Sequence, residues 1–287
     1  MKILLTGSTG FLGKKLVEKL TKKRLDINFI DRSYCDITDK SSLLRMKKKL
    51  GKIDSIVHLA ALVPRQANNA TAFEMFKVNT LGTINILEVF GKKINGFTYI
   101  STAEVYGPAV RNKSIKENGP TKPISFYAAS KLAAEIYCQV FAKKHNLPIS
   151  ILRPTTLYGP GDLIDRAIPN FIKSALSEKS LKVYGGKQKR DYLHIEDATD
   201  AIYLAIINNQ SDVFNIGSGK GITISKVAKT IQKTINSKLK IRFLKVKGKP
   251  KDIVLNIGKA KKLLKFNPKF HFPDKLEEEI EWLRKNQ

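Results

Sequence analysis

The sequence predicts an α/β fold: a doubly wound parallel sheet with a smaller C-terminal substrate lobe. Three observations predict it. Short apolar runs alternate with amphipathic helical stretches through the first half of the chain; a glycine-rich turn joins the first run to the first helix; and an acidic residue ends the second run. Strands buried on both faces of a parallel sheet read as continuous apolar runs, and the helices between them carry one apolar stripe. Lys2–Thr6 is the first strand, and Leu12–Arg24 is a helix with Leu12, Leu16, Val17 and Leu20 on one face. Ile27–Ile30 is the second strand. A basic helix around Leu43–Leu50 precedes the third strand, Ile53–Leu59. Phe73–Phe90 is a long helix, Phe97–Ser101 the fourth strand, Tyr127–His145 another helix and Ile149–Leu152 the next strand.

After Arg153-Pro154 the alternation becomes shorter and more mixed. Gly159-Pro160-Gly161 is a turn cluster. Helical stretches at Ile168–Ser177 and Asp197–Ile207 alternate with strand-like pieces at Leu181–Tyr184 and Ile241–Lys245. The expected division is a nucleotide-binding domain over 1–153 and a smaller substrate-binding lobe over 154–287, with some segments of the lobe returning to the main sheet.

Composition narrows the function. The chain has 287 residues, 42% of them hydrophobic, enough to bury a sizeable core. Apolar stretches such as 56–63 are far too short to span a bilayer, so no membrane partner is expected. The N-terminus runs directly into the glycine turn and has no signal-peptide layout, and two cysteines make neither a disulfide framework nor a usual zinc site. A cytoplasmic protein without a metal is expected. The net charge of +27 comes from 42 Lys and only 10 Arg against 25 acidic residues. Lysines scattered in pairs are solvated helix faces; a nucleic-acid reader concentrates its charge and uses arginine forks, so no specific nucleic acid is expected as partner. The positive field would speed capture of an anionic substrate.

The turn Thr6-Gly7-Ser8-Thr9-Gly10-Phe11-Leu12-Gly13 places glycines at 7, 10 and 13 between a strand and a helix. Glycine permits positive φ and close backbone approach, and a helix N-terminus offers free amides to a pyrophosphate. Asp31 ends the second strand 21 residues after Gly10, where a carboxylate binds ribose hydroxyls. This context makes the sheet Rossmann-type and the cofactor NAD; Asp31 would repel a 2′-phosphate, whereas the neighbouring Arg32 offers a guanidinium to one. Tyr127 and Lys131 stand at i and i+4 of a helix and so share a face. A tyrosine with a pKa near ~10 is a poor base at neutral pH, and a nearby ammonium favours its phenolate. Thr102 follows the fourth strand, at the end where open α/β sheets bind ligands, and would set a hydroxyl beside the oxygen that Tyr127 deprotonates.

With these pieces stand His58-Leu59-Ala60-Ala61, Asn79-Thr80-Leu81-Gly82-Thr83, Ser101 to Gly107, Arg153-Pro154, Arg190-Asp191-Tyr192 and Asn215-Ile216-Gly217-Ser218-Gly219. In this order the chain resembles the extended short-chain dehydrogenase/reductases that modify nucleotide sugars, the NAD-dependent epimerase/dehydratase family. The resemblance implies Thr102, Tyr127 and Lys131 as catalytic residues. It implies a cofactor lined by Gly7, Thr9, Gly10, Phe11, Leu12, Gly13, Asp31, Arg32, Ser101, Tyr127, Lys131 and Pro154. It also puts Asp36 and Ile37 by the adenine, Leu59, Ala60 and Ala61 along the cofactor, and Asn79 in support of the catalytic helix. For the nucleotide-sugar substrate it implies Thr102, Tyr127, Thr156 and Arg190, with Arg190 on the diphosphate. A homodimer through a four-helix face is part of the same implication.

Members of this family share an opening oxidation at C4 of the sugar. The dehydratases that resemble this chain follow the threonine with an Asp-Glu pair; here Ala103 and Glu104 follow Thr102, so the elimination acid is missing. A small residue there suits a UDP-hexose 4-epimerase of the UDP-glucose 4-epimerase type, an isomerase of carbohydrate metabolism. A 4-keto-sugar reductase comes second and a decarboxylase third. Two departures bear on the substrate: Thr156 stands where many relatives have asparagine, and the late basic–Gly-Asp pattern survives only as Lys249-Pro250-Lys251-Asp252. A non-catalytic dinucleotide-sensing or RNA-associated protein on the same fold is the competing class; it leaves the Thr102, Tyr127 and Lys131 set without a purpose.

Overall fold

A computed structural model describes residues 1–63, 70–107, 114–235, 238–246 and 252–286. The elements in order are β1 (Lys2–Thr6), α1 (Phe11–Lys22), β2 (Asp26–Ile30), α2 (Lys40–Leu50), β3 (Ser55–His58), α3 (Ala72–Phe76), α4 (Gly82–Phe90), β4 (Gly96–Ile100), α5 (Phe126–His145), β5 (Ile149–Pro154), β6 (Thr156–Tyr158), α6 (Ala167–Leu176), β7 (Leu181–Tyr184), β8 (Lys189–His194), α7 (Ile195–Asn208), β9 (Asp212–Ile216), β10 (Gly221–Thr223), α8 (Ile224–Thr234), β11 (Ile241–Leu244) and α9 (Leu276–Lys285).

Six strands form one parallel sheet in the order β2-β1-β3-β4-β5-β9. Every residue of β3 and β4 is buried, which is why these strands read as unbroken apolar runs. On one face α1 and α7 cover Ile3, Leu5, Val57 and Phe214. On the other, α2, α4 and α5 cover Leu4, Ile56, Phe97 and Ile151. β6, β8 and β10 make a second sheet, β7 and β11 a third. Both lie with α6, α8 and α9 around a separate core that includes Tyr158, Ile172, Tyr192, Val227 and Ile280. Strand β9 and helix α7, from beyond residue 154, belong to the main sheet and its covering layer.

The long helix expected over Phe73–Phe90 is interrupted. A π-helical turn, Lys77–Leu81, separates α3 from α4. Single π turns widen a helix by one residue and recur at functional sites. Here the turn buries Asn79 and Thr80 completely. The short strands β6, β8, β9 and β10 and the helices α8 and α9 are further elements that apolar periodicity did not mark. None of the described helices is long and apolar enough to cross a membrane.

Candidate active site

The glycine turn sits at the carboxyl end of β1, and its three glycines have different reasons. Gly7 has φ +76°, and a Cβ there would come within 2.6 Å of the Ala60 amide nitrogen. A Cβ on Gly13 would lie 2.0 Å from the Gly7 carbonyl oxygen. Both are demanded by the chain's own backbone. Gly10 has an ordinary φ of −73°, and a Cβ there would meet only the Gly7 oxygen, at 3.5 Å. Glycine at 10 therefore keeps clear a space that no protein atom needs. Helix α1 begins at this point with no side-chain cap and no acid in its first turn, whereas Asp39, Ser125 and His194 cap α2, α5 and α7. Its first amides are left for an anionic group. Thr9 is exposed beside Gly10, Phe11 and Leu12 are half-buried, and Phe11 packs on Gly161 of the opposite lobe.

The ends of the neighbouring strands bring in the other expected cofactor residues. Asp31, half-buried just after β2, accepts the Ser33 amide and hydroxyl at 3.1 and 3.3 Å, both through Oδ1. Arg32 and Asp36 are exposed on the same stretch, while Ile37 turns inward against Gly82. Leu59, Ala60 and Ala61 continue from β3 and are half-buried. The Ala60 amide donates to Thr6 Oγ1 at 3.2 Å, Thr6 Oγ1 meets His58 Nδ1 at 2.6 Å, and His58 Nε2 meets Thr83 Oγ1 at 3.0 Å. Because Thr83 Oγ1 donates to the Asn79 carbonyl at 2.7 Å, it accepts from His58 Nε2–H, and Thr6 donates to Nδ1. Burial, and secondarily the charge of Lys131, push His58 down to about 3, so it is a neutral structural link.

Asn79 joins the cofactor side to the catalytic helix. Its Oδ1 accepts the Leu62 amide at 2.7 Å, and its Nδ2 donates to the Leu62 carbonyl at 3.1 Å and to Ser130 Oγ at 3.0 Å. Thr80 Oγ1 donates to the Ser130 carbonyl at 2.9 Å. Ser130 lies between Tyr127 and Lys131, so the π turn holds the first turns of α5 in place.

Thr102 follows β4 and is 9% exposed; its Oγ1 accepts the Glu104 amide at 3.2 Å and lies near enough to the Tyr127 phenol to favour its phenolate. Burial and the charge of Glu104 raise the phenol above its ordinary value, while Arg166 and the Thr102 hydroxyl oppose them. Lys131 is 1% exposed, with Nζ 4.3 Å from the centroid of the Tyr99 ring. Burial pushes it down to about 7, against the opposing pull of Cys138 and Glu135. The ammonium is therefore poised near neutrality. Ser101 turns its hydroxyl inward to Glu135. Pro154 ends β5 half-buried, in register with Ile216.

Across the crevice, Thr156 of β6 lies in register with Tyr192 of β8. Arg190 is two residues from Tyr192 and so shares its face of the strand. The Tyr192 phenol feels the charges of Arg190 and then Arg166, and Arg166 in turn reaches Tyr127. The charge of Arg166 is thus felt by both phenols, Tyr192 in the core of the smaller lobe and Tyr127 at the start of α5. Lys249, Pro250 and Lys251 of the late basic pattern lie outside the described residues; Asp252 is buried and accepts the Lys189 amide at 2.8 Å.

Several site residues escape motif reading. Arg166 precedes α6 and donates to both oxygens of the buried Asp162 at 3.2 and 3.1 Å. Glu104 is hydrogen-bonded to the Ser125 hydroxyl and feels Arg166. Glu135 pairs with Arg153 in the core behind α5. Glu104 and Arg153 stand in motifs already noted, but their partners do not; the only sequence signal for Asp162, Arg166 and Glu135 is spacing, Asp162 and Arg166, like Lys131 and Glu135, being four residues apart. A groove lined by Gln139, Asn146, Ile149 and Asp212 lies at the opposite, N-terminal ends of β5 and β9 and has no part in this site.

A parallel sheet with a glycine turn at its first strand, an acid after its second and a Tyr–Lys pair on the helix that follows its fourth defines a dinucleotide-dependent α/β protein. Residues 3–217 match the model of the NAD dependent epimerase/dehydratase family, and the chain belongs to that family. An uncharacterised UDP-glucose epimerase of Bacillus subtilis is 30% identical over 99% of this chain and 98% of its own length. A UDP-N-acetyl-alpha-D-glucosaminuronate decarboxylase of Bacillus cytotoxicus is 30% identical over 99% of this chain and 98% of its own. The solved UDP-glucuronic acid 4-epimerase of Bacillus cereus, in complex with NAD, superposes with a TM-score of 0.86 at 29% identity, covering 100% of this chain and 99% of that one. NAD is the family's cofactor, and the open space over Gly10 with the uncapped start of α1 fits its pyrophosphate.

Proposed function

We propose that this protein is a nucleotide-sugar epimerase that inverts C4 of a UDP-hexose through a transient 4-keto sugar. The observation that carries the reading is the meeting of Thr102 and Tyr127 at the end of β4, with the small, buried Ala103 next in the chain. The glycine turn, Asp31 and the segment Leu59–Ala61 would hold NAD, which when bound supplies a reversible hydride acceptor. Tyr127 takes the proton of the C4 hydroxyl, and Thr102 hydrogen-bonds the same oxygen. Lys131 supplies the positive charge that a phenolate needs in a buried place. Tyr127 then stores the proton and returns it to the C4 oxygen, whichever face of the ketone is reduced. No carboxylic acid stands at position 103 to expel a hydroxyl from C6. Arg190, half-buried on β8, carries the guanidinium that would suit a diphosphate, and Thr156 of the neighbouring β6 would complete the substrate side.

A second reading, decarboxylation of a nucleotide hexuronate, is favoured by Glu104 and Arg166 at the Tyr127 phenol and by the decarboxylase among the relatives. Incubation of the NAD-loaded protein with UDP-hexoses and UDP-hexuronates, with products identified by NMR, decides between them. Tyr127→Phe should retain NAD while turnover falls by about 10²–10⁴-fold. Normal turnover by that variant would refute the role of Tyr127.

The protein is further proposed to pair with a second copy through α3 and α5. Phe73, Phe76, Phe126, Ile136, Tyr137 and Val140 are all exposed there. Before Lys143, every charged residue of α5 is buried, so its outer face carries no charge. In a chain of net charge +27, this is where two copies meet with least repulsion.

A further inference from the structure

Lys131 is nearly as deeply buried as any residue of the core, and its surroundings give its charge little support. The Tyr99 ring face attracts a cation but does not replace water. His58 is neutral, and burial holds the Cys138 thiol well above its ordinary value. Tyr127, one turn earlier on α5, faces Glu104, Arg166 and Thr102. The remaining neighbour is Glu135, one turn after Lys131 on the same helix face and 0% exposed.

Glu135 is fixed from three sides. Ser101 Oγ donates to Oε1. Arg153 Nε reaches Oε1 and Oε2 at 3.0 and 3.1 Å, and its NH2 reaches Oε2 at 2.6 Å. The other end of Arg153 donates to Tyr106 Oη at 2.8 Å and to the Glu117 carbonyl at 3.2 Å; Tyr106 Oη donates to Asn215 Oδ1 at 2.6 Å. The carboxylate is thereby tied to β4, β5 and β9 and cannot swing. Stability alone does not call for such an arrangement, because apolar residues of similar volume often serve a core as well as a buried ion pair.

We propose that Glu135 is a positioning residue: locked by Arg153 and Ser101, it keeps Lys131 cationic one helical turn from Tyr127. The proposal rests on Tyr127 being the base of the reaction. Arg153 holds the carboxylate still, and Glu135 offsets the second cation that the fork brings into the core.

The test follows the Tyr127 phenolate by ultraviolet absorbance across pH in NAD-saturated protein, with Tyr127→Phe as the blank. Glu135→Gln, which keeps shape and hydrogen bonding, should move the midpoint up by about one pH unit, a roughly tenfold weaker acid. Glu135→Asp, which keeps the charge, should leave the midpoint in place even as its melting temperature falls. In a Lys131→Met background, Glu135→Gln should add no further shift. An unmoved midpoint in folded Glu135→Gln, or a shift that persists without Lys131, overturns the proposal. If Glu135→Gln does not fold, Glu135→Asp decides, and a displaced midpoint refutes it. Absorbance needs no substrate, so a wrong sugar assignment shows separately as absent turnover.

Discussion

Gly10→Ala separates what the glycine turn does for the fold from what it does for the cofactor. The new methyl would meet only the Gly7 oxygen at 3.5 Å, an ordinary contact, and φ at this residue is −73°. The loss of a favourable N-cap residue costs at most about 1 kcal/mol. In a protein of this size that lowers the melting temperature by about 2–4 °C. Saturation with NAD at a hundredfold excess over its dissociation constant stabilises the parent by about 2.7 kcal/mol, or about 5–10 °C. If the methyl occupies the seat of the pyrophosphate and weakens binding a hundredfold, the same NAD concentration gives only about 0.4 kcal/mol, about 1 °C. Gly13→Ala is the control: its Cβ would strike a backbone oxygen at 2.0 Å, so the protein without ligand is itself destabilised. Thermal melts of the three proteins with and without NAD are sufficient. A Gly10→Ala protein that keeps the full NAD-induced rise would refute the placement of the cofactor over Gly10.

Asn79→Ala removes the bonds to both Leu62 backbone groups and to Ser130, and should cost about 2–4 kcal/mol in urea unfolding; a loss under about 1 kcal/mol would show that the clamp is unimportant. Ile136→Lys with Val140→Lys should convert a dimer to a monomer in sedimentation equilibrium while leaving the melting curve of the monomer cooperative. A wild-type protein that sediments as a single chain would refute pairing through α5.

Much of the nucleotide-binding half was readable because its signals are local. Strands β1, β3, β4 and β5 are buried along almost their whole length, so each reads as an apolar run between helices, while β2, at the sheet edge, is only partly buried. Gly7 and Gly13 stand in the motif because backbone atoms press on them, and motif spacing records this. The smaller lobe was less legible for a physical reason. β6 and β10 have three residues each, too few to display alternation, and β8 carries Lys189, Arg190 and Asp191 in a row. Its residues are chosen by loop clamps: Asp191 accepts the Ser218 amide and hydroxyl at 2.9 and 2.6 Å, and the Gly219 amide at 3.2 Å. The same limit applied at the site. Tyr127 and Lys131 could be paired by helical arithmetic, whereas the approach of Arg166 to Tyr127, and of Arg153 to Glu135, depends on chain closure between distant segments.

The two kinds of basic side chain divide the work between them. Arg153 and Arg166, two of only ten arginines, are held by the buried carboxylates Glu135 and Asp162 around the proposed site, while most of the lysines carry the field outside it. Acylating reagents aimed at primary amines would therefore discharge the exterior without touching any of these guanidinium groups. Lys131, the amine to which a catalytic role is proposed, is 1% exposed and would be shielded from them by the fold itself.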